Sequence, residues 1–157
     1  MRREHTYNLG IKWTGNLGMG TESYTSYTRN HVIIKEGGQM ILGSSDPAFR
    51  GDPQRYNPEE LFLSTLSSCH MLMYLHFCAS NNITVVSYED NPVGTMKEEG
   101  NGSGRFTDVI LRPRIDILED DKIKQAEELH HQAHEFCFIA NSVNFPVSVE
   151  PKIEVQQ

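Results

Sequence analysis

Apolar residues occupy every second position from Tyr7 to Trp13, and this period of two predicts a half-buried β-strand. Further strands are predicted over 21–28 and 31–42, the second folded into a hairpin at its Gly-Gly pair. Residues 43–56 are rich in Gly, Pro, Asp and Ser, so a loop is predicted there. The first third of the chain is therefore predicted to be β-structure followed by a long loop.

A long helix is predicted directly after this loop. Asn57 is a good N-cap, Pro58 suits the first helical position, and two glutamates follow in the first turn. The segment 61–80 is apolar nearly all round, which indicates a central and largely buried helix. The two asparagines after Ser80 predict its end.

The rest of the chain is predicted to contain four more strands and a second helix. Strands are predicted over 83–90, 92–99 and 104–118, with a Gly-rich turn before the last. Alternation over 145–155 predicts a closing strand. A helix beginning near Asp120 is indicated by apolar residues at steps of three and four, namely Ala126, Leu129, Ala133, Phe136 and Ala140. This order of elements predicts an α+β fold in a single domain that spans residues 1–157.

The chain has a formal net charge of −7, and 38% of its residues are hydrophobic. This acidic balance argues against a nucleic acid or an anionic membrane as partner, because phosphates are bound by an excess of Lys and Arg. No apolar stretch is expected to reach the ~20 residues of a membrane span, and the N-terminus lacks the apolar segment of a secretory signal. We therefore expect a cytoplasmic protein.

Three cysteines, Cys69, Cys78 and Cys137, provide the candidate chemistry. Their odd number disfavours a disulfide framework, and the sequence contains no CxxC pair. Cys69 and Cys137 lie on the apolar sides of the two predicted helices, so packing of the helices could bring them together. Cys78 is roughly half a revolution away from Cys69 and is predicted to be a small buried residue. Ordinary core packing remains the alternative for the other two.

A reactive cysteine needs a nearby cation, because only the thiolate is nucleophilic. Cys69 is predicted to lie three turns into its helix, too far from the N-terminus to profit from the helix dipole. The candidate cations are three arginines that precede the helix: Arg29, Arg50 and Arg55.

Two segments of the sequence resemble the OsmC/Ohr family. GDPQRYNPEELFLSTLSSCHM at 51–71 is similar to the stretch from an Asn-Pro-Glu helix start to the peroxidatic cysteine. HHQAHEFCFIANSV followed by NFPVSVEP, at 130–151, resembles the resolving-cysteine helix and the final strand. The resemblance implies an OsmC-like fold, in which two central helices are wrapped by antiparallel sheets in an intertwined homodimer.

The resemblance also implies a cysteine-based peroxidase that reduces organic hydroperoxides to alcohols in oxidative-stress defence. It assigns Cys69 as the peroxidatic nucleophile and Cys137 as the resolving thiol. Glu59 would orient the activating arginine, for which Arg50 is the best match. No bound cofactor or metal is implied, and an external dithiol such as dihydrolipoamide, or a lipoylated protein, would restore both thiols. Phe138 stands where many relatives have proline, which indicates a distinct subgroup.

The spacing of Glu59 and Cys69 bears on the oligomeric state. The two residues are ten positions apart on one predicted helix, about 15 Å along its axis. A straight helix therefore cannot bring both side chains into one small site. Either the arginine spans the gap, or Glu59 serves the site of a second subunit, which favours a homodimer with two composite sites.

Two other functions would use some of the same residues. His130, His134 and Cys137 follow helical spacings of four and three, a pattern that could bind Zn²⁺ with Cys69 or His70 as fourth ligand. Alternatively, a non-enzymatic protein on the same fold could bind a small ligand or sense oxidation through its cysteines. Peroxide consumption separates the peroxidase from the binding protein, and metal content separates both from the zinc protein.

Overall fold

The computed structural model describes residues 3–156 and divides into two compact units, the first ending at Leu61 and the second beginning at Phe62. A single domain over 1–157 remains a prediction. The first unit contains an antiparallel sheet of three strands, β1 (Gly10–Trp13), β2 (His31–Ile34) and β3 (Ile41–Gly43). Strands β2 and β3 form the predicted hairpin, whose turn includes Gly37 at a φ of 69°, a conformation that favours glycine.

The prediction of a strand over 21–28 is wrong, because these residues form turns, bends and one isolated bridge. The hydroxyl of Ser26 donates to the carbonyl of Gly20 at 3.0 Å. The guanidinium of Arg29 donates to the carbonyls of Tyr24 and Tyr27 at 3.0 and 2.9 Å. Side chains thus satisfy backbone groups that a neighbouring strand would otherwise satisfy.

The first strand is shorter and more exposed than predicted. It begins at Gly10 rather than Tyr7, and Ile11 is 70% exposed. The prediction of a half-buried strand is therefore wrong for a single copy of the chain, because the described residues leave β1 exposed.

Helix α1 extends over Pro58–Ser80 and begins where the sequence predicts. The backbone N–H of Glu60 donates to Oδ1 of Asn57 at 2.8 Å, and the backbone N–H of Asn57 donates to the Glu60 carboxylate at 3.0 Å. This reciprocal capping satisfies two amide groups at the start of the helix. After Ser80, Asn82 has a φ of 55°, in the left-handed region that asparagine tolerates.

Burial of α1 is confined to one stripe with a spacing of four residues: Leu66, His70, Tyr74 and Cys78. On another face Leu72 is 62% exposed. The prediction of a largely buried helix is therefore wrong for the single chain, because packing within the second unit covers only this stripe. By length and composition α1 is also apolar enough to cross a membrane, contrary to the expectation from sequence, although core helices of soluble proteins meet the same criteria.

The second unit contains two mixed three-stranded sheets and helix α2 (Ile123–Phe136). Each sheet has one antiparallel pair, to which a strand near the C-terminus adds in parallel. The orders are β4-β7-β9 and β5-β6-β8, for strands Val85–Asp90 (β4), Val93–Glu98 (β5), Gly104–Leu111 (β6), Pro113–Ile117 (β7), Val147–Val149 (β8) and Lys152–Val155 (β9). The predicted α+β class is confirmed.

Two predicted strands are each divided in the structure. The segment 104–118 is interrupted at Arg112, whose backbone N–H donates to the Asp90 carboxylate at 2.7 Å. The segment 145–155 is interrupted at Glu150 and Pro151. At both breaks the chain passes from one sheet to the other, and the alternating pattern continues across them.

Two apolar clusters hold the helices of the second unit against its sheets. The smaller one joins Leu66 of α1 to Val109 and Leu111 of β6. In the predicted stripe of α2, Phe136 is 49% exposed, and Ala140 lies in a 3-10 turn, because the helix ends earlier than predicted. The larger cluster contains Tyr74, Cys78, Ile83, Ile115, Ile117, Ala126, Leu129 and Ala133.

Candidate functional site

Cys69 and Cys137 are brought together by α1 and α2 within the second unit. Cys69 lies in the middle of α1 and is half-buried, whereas Cys137 is the C-cap of α2 and is 1% exposed. The two side chains are close enough for Cys69 to raise the pKa of Cys137, and both are free thiols. Two neighbouring thiols can be oxidised to a disulfide.

The end of α2 positions Cys137. Its backbone leaves the helix with φ −72° and ψ 109°, and its N–H donates to the carbonyl of His134 at 3.2 Å. A 3-10 turn over Ala140–Ser142 follows, and the N–H of Ala140 donates to Sγ of Cys137 at 3.5 Å. The sulfur thus accepts a hydrogen bond from one backbone donor.

The surroundings keep the Cys137 thiol protonated. Burial is the larger cause and the neighbouring Cys69 the smaller, and together they raise the pKa of Cys137 to about 11, although the backbone N–H groups of Ala140 and Ile139 oppose the shift. Because the thiolate is the nucleophile, Cys137 is poorly suited to attack a peroxide at neutral pH.

Cys78 lies in the core, as the sequence predicts. It is 1% exposed and packs in the larger apolar cluster. Burial raises its pKa, while a hydrogen bond with Tyr74 acts in the opposite direction. Cys78 is therefore an internal control for the reactivity of the other two cysteines.

A pair of histidines that the sequence analysis considered only as possible zinc ligands lies between the same two helices. Nε2 of His70 and Nδ1 of His130 are 3.0 Å apart, with the rings 9° from parallel. Tyr74 stacks on His130 at 3.9 Å between centroids. The signal that could have identified His70 is its place in the four-residue stripe of α1, where a polar side chain needs a partner.

Both histidines of this pair are neutral at pH 7. Burial, with a smaller contribution from His134, lowers the pKa of His70 to about 4. Burial, followed by the charges of His70 and His131, lowers the pKa of His130 to about 3. Each neutral ring has one donor and one acceptor nitrogen, which suits a single hydrogen bond between them.

The zinc hypothesis finds no support in this geometry. Among residues 3–156, no three His, Cys, Asp or Glu side chains are placed to hold a metal ion. Nδ1 of His130 is engaged by His70, and Cys137 lies beyond the last residue of α2. The spacing of His130, His134 and Cys137 therefore does not correspond to one helical face.

The arginine candidates lie in the first unit and differ in their partners. Arg55 forms an ion pair with Asp52 at 3.4 Å. The guanidinium of Arg29 is held by the carbonyls of Tyr24 and Tyr27 and lies over both rings. Both side chains are thus engaged locally, although Nη1 of Arg55 is buried and has no hydrogen-bond partner among the described residues.

Arg50 follows a 3-10 turn over Pro47–Phe49 and is exposed. Its φ of 64° allows its N–H to close the turn on the carbonyl of Pro47 at 3.0 Å. No described carboxylate forms an ion pair with Arg50. Of the three candidates, Arg50 has the guanidinium that neighbouring residues engage least.

Glu59 lies in the first turn of α1 and is half-buried. Asn57 and Glu60 form the capping pair, so the Glu59 carboxylate is not used to cap the helix. Helix α1 is continuous over Pro58–Ser80. The argument that Glu59 and Cys69 are too far apart on one helix to share a small site requires such an uninterrupted helix.

Comparison with known proteins gives consistent likenesses. The family model of OsmC-like proteins matches residues 51–152. A solved structure of an OsmC-like protein of unknown function from Vibrio cholerae is 35% identical, with a TM-score of 0.82 and coverage of 94% of this chain and 99% of that chain. A curated relative, the organic hydroperoxide resistance protein OhrB of Bacillus subtilis, is 28% identical over 98 residues, which are 62% of this chain and 69% of that protein.

A more distant structure has the same fold. The organic hydroperoxide resistance protein of Elizabethkingia anophelis is 19% identical, with a TM-score of 0.68 and coverage of 98% of this chain and 100% of that chain. At this identity the likeness shows the fold alone. Together with the Vibrio cholerae structure, it confirms the OsmC-like fold that the sequence resemblance implied. The expectation of antiparallel sheets is wrong for the second unit, where each sheet includes a parallel pair, and the intertwined homodimer stays a prediction.

Proposed function

Since the chain belongs to the OsmC-like protein family, we propose that it is a thiol-dependent peroxidase that reduces organic hydroperoxides to alcohols. Cys69 is the peroxidatic thiol and Cys137 the resolving thiol. The observation that carries this proposal is the proximity of two free thiols in unequal surroundings, one half-buried and one buried. The name of the Bacillus subtilis relative, an organic hydroperoxide resistance protein, supports the same class of substrate.

In the first step the Cys69 thiolate attacks the terminal oxygen of the hydroperoxide. A sulfur–oxygen bond forms and the O–O bond breaks, so sulfur is oxidised by two electrons. The alkoxide that leaves takes up one proton and becomes the alcohol, and Cys69 becomes a sulfenic acid. The half-buried position of Cys69 leaves it open to a substrate, whereas Cys137 is buried.

In the second step Cys137 resolves the sulfenic acid. Its sulfur attacks the sulfur of Cys69, a disulfide bond forms, and the hydroxyl group leaves with the proton of the Cys137 thiol as water. The two side chains are neighbours, which is the arrangement that this step requires.

An external dithiol such as dihydrolipoamide then restores both thiols. Its first sulfur attacks the disulfide and releases one cysteine, and its second sulfur closes a ring that releases the other. The dithiol is oxidised by the two electrons that the disulfide gains. Bound cofactors have no part in this proposal.

We assign Arg50 to stabilise the Cys69 thiolate and Glu59 to orient Arg50. Support comes from the exposed Arg50, which lies outside the ion pairs of the described residues, and from Glu59, which takes no part in helix capping. Replacement of Arg50 by Gln is expected to slow the first thiol loss about tenfold, because the cation assigned to stabilise the Cys69 thiolate is lost. Arg55→Gln is the matched control, and equal rates in the two variants would contradict the assignment.

We further propose a cytoplasmic homodimer with composite sites. Large apolar side chains exposed in the single chain favour a partner surface, and Phe138, beside Cys137, is 76% exposed. Free cysteines suit a reducing compartment. The mass in solution tests the dimer, and a monomer would exclude composite sites.

Thiol counting and intact mass after one equivalent of cumene hydroperoxide test the chemistry. The wild type is expected to lose two thiols and about 2 Da, the two hydrogens of a new disulfide. Cys137→Ser is expected to accumulate the sulfenic acid, and Cys69→Ser to remain unreactive. Cys78→Ala is the matched control and is expected to behave as the wild type.

Two results would overturn the proposal. One is the survival of all three thiols in the wild type. The other is a Cys69→Ser variant that consumes peroxide as fast as the wild type, because the nucleophile would then lie elsewhere.

A further inference from the structure

The hydrogen bond between His70 and His130 joins the two helices at a point close to both reactive cysteines. His70 directly follows Cys69 on α1, and His130 lies on α2 seven residues before Cys137, which is about two helical turns. The two bonded nitrogens are 3.0 Å apart. This bond therefore fixes the position of α1 relative to α2 one residue away from Cys69.

The ring of His130 is held by two side chains of α1. Tyr74 stacks on it with centroids 3.9 Å apart and planes 11° from parallel. The ring of His70, one turn earlier, lies 5.3 Å away between centroids and 9° from parallel. Because His70 and His130 are 1% and 3% exposed, they lie in a closely packed interior. The two helices cannot slide past each other without loss of at least one of these contacts.

Two further polar contacts join the start of α2 to the segment after α1. Nζ of Lys122 donates to the carbonyl of Asn82 at 2.7 Å, and Nε2 of Gln125 donates to Oδ1 of Asn81 at 3.2 Å. Asn81 lies twelve residues beyond Cys69, roughly 18 Å along a helix axis. A small rotation about these distant contacts displaces the cysteine by more than it displaces Asn81, so they align the thiols less closely than the histidine pair does.

A hydrogen bond between two buried polar groups suits this alignment better than apolar packing. Sliding would leave both histidine nitrogens unpaired in the interior, which is unfavourable, whereas apolar side chains tolerate small displacements. Disulfide formation requires such precision, because the two Cα atoms usually lie about 4.4–6.8 Å apart and strained bridges are more easily reduced. A misplacement of about 1 Å can cost about a hundredfold in the rate of a reaction.

We propose that the hydrogen bond between His70 and His130 positions α1 on α2 in the arrangement in which Cys69 and Cys137 form a disulfide. Both histidines are positioning residues, and neither reacts. The inference deepens the proposed function and rests on it for the identity of the reacting thiols, yet its test needs no peroxide.

Equilibrium with dithiothreitol measures the stability of this disulfide in the full chain. One cysteine thiolate attacks oxidised dithiothreitol to form a mixed disulfide, and the other cysteine displaces the dithiothreitol. Two electrons and the two thiol protons pass from the protein to the dithiothreitol, which is reduced. Buffers with varied ratios of oxidised to reduced dithiothreitol, followed by alkylation and peptide mass spectrometry, give the equilibrium constant for the bond between Cys69 and Cys137.

Two replacements at position 70 differ by one methylene group. His70→Asn is too short to reach His130 and is expected to lower the equilibrium constant about tenfold, which corresponds to about 30 mV for a two-electron couple. His70→Gln places an amide group near the position of Nε2 and is expected to remain close to the wild type. His76→Asn, at an exposed position of α1, is the matched control and is expected to have the wild-type constant.

A second variant applies the same test if His70→Asn does not fold. His130→Phe retains an aromatic ring against Tyr74 but removes the nitrogen that pairs with His70. It is expected to lower the equilibrium constant by a similar factor. Circular dichroism verifies that each variant is folded before its constant is compared.

Three results would overturn the proposal. One is a wild-type constant in folded His70→Asn or His130→Phe, because the hydrogen bond would then stabilise the reduced and oxidised proteins equally, as a purely structural bond does. Another is a loss in His70→Gln as large as that in His70→Asn. The third is a wild-type protein that forms no disulfide between Cys69 and Cys137. Variants that behave as expected in a protein that does not react with cumene hydroperoxide would support the positioning role and overturn the peroxidase.

Discussion

Nε2 of His70 lies 3.0 Å from Nδ1 of His130, so one buried hydrogen bond joins α1 to α2 across sixty residues of sequence. Both rings are neutral at pH 7 because burial lowers their pKa values. Adding a proton to either ring charges a group that is shielded from water, which is unfavourable. The stability of the second unit is therefore linked to pH.

We expect the free energy of unfolding to fall as the pH is lowered from 7 to 5. The folded-state pKa values of about 4 for His70 and about 3 for His130 lie below the ordinary value of 6.5, so in this window the unfolded state binds more protons and is favoured. The loss begins near pH 6.5 and reaches about 2 kcal/mol for each ring at pH 5. Urea unfolding at the two pH values measures it.

The double variant His70→Leu/His130→Leu removes both titrating groups and is expected to flatten this part of the profile. His76→Leu, exposed on α1, should retain the wild-type dependence. If the double variant and the wild type lost stability equally, other groups would have to account for the effect.

The three cysteines are expected to differ in their rates of alkylation. Cys69 is half-buried, whereas Cys78 and Cys137 are each 1% exposed and have raised pKa values. Iodoacetamide at pH 8 should therefore label Cys69 about tenfold or more faster than either of the others. Peptide mass spectrometry gives the order, and labelling in urea, where all three should react alike, is the control. Faster labelling of Cys137 would contradict its buried, protonated state.

Gly94→Ala is expected to destabilise the second unit by about 1–3 kcal/mol through overpacking. Its Cβ would lie 2.6 Å from Cδ2 of Leu63 and 2.8 Å from Cε1 of Phe106. Gly100→Ala is the control, because no heavy atom lies within 4 Å of its Cβ. Urea unfolding compares the two, and equal stability would mean that β5 and α1 can separate at no cost.

Asn57→Ala is expected to destabilise the start of α1 by about 1 kcal/mol, the usual effect of losing an N-cap acceptor. Asn57→Asp keeps an oxygen for the N–H of Glu60 and should remain close to the wild type. Chemical unfolding followed by circular dichroism measures both. Equal losses in the two variants would show that the side-chain acceptor is not what stabilises this helix start.

Features determined by neighbouring residues were predicted well from sequence. The start of α1 follows from hydrogen bonds between Asn57 and Glu60, which lie three residues apart. The hairpin turn follows from a glycine at Gly37 that adopts a positive φ. Packing of the two predicted helices was considered able to bring Cys69 and Cys137 together, and the two residues are neighbours although Cys137 lies just beyond the end of α2. The roles assigned to these cysteines, and to Arg50 and Glu59, remain predictions.

Features determined by distant segments were not predicted. The break at Arg112 depends on Asp90, which accepts its backbone N–H from another part of the chain. The His70–His130 pair joins two helices. Neither the spacing of the histidines along the chain nor the composition indicates which two histidines will form a hydrogen bond. Exposure of one side of α1 was missed for the same reason, because burial depends on what packs against a helix and not on its own sequence.

The segment 147–155 supplies the third strand of both sheets in the second unit, since β8 pairs with β6 and β9 with β7. If this segment detached, both sheets would lose an edge at the same moment. The two ladders are separate in their hydrogen bonds, yet they are expected to open as one cooperative unit. Hydrogen exchange would then give the same opening free energy for the amides of β6 that are bonded to β8 and for the amides of β7 that are bonded to β9.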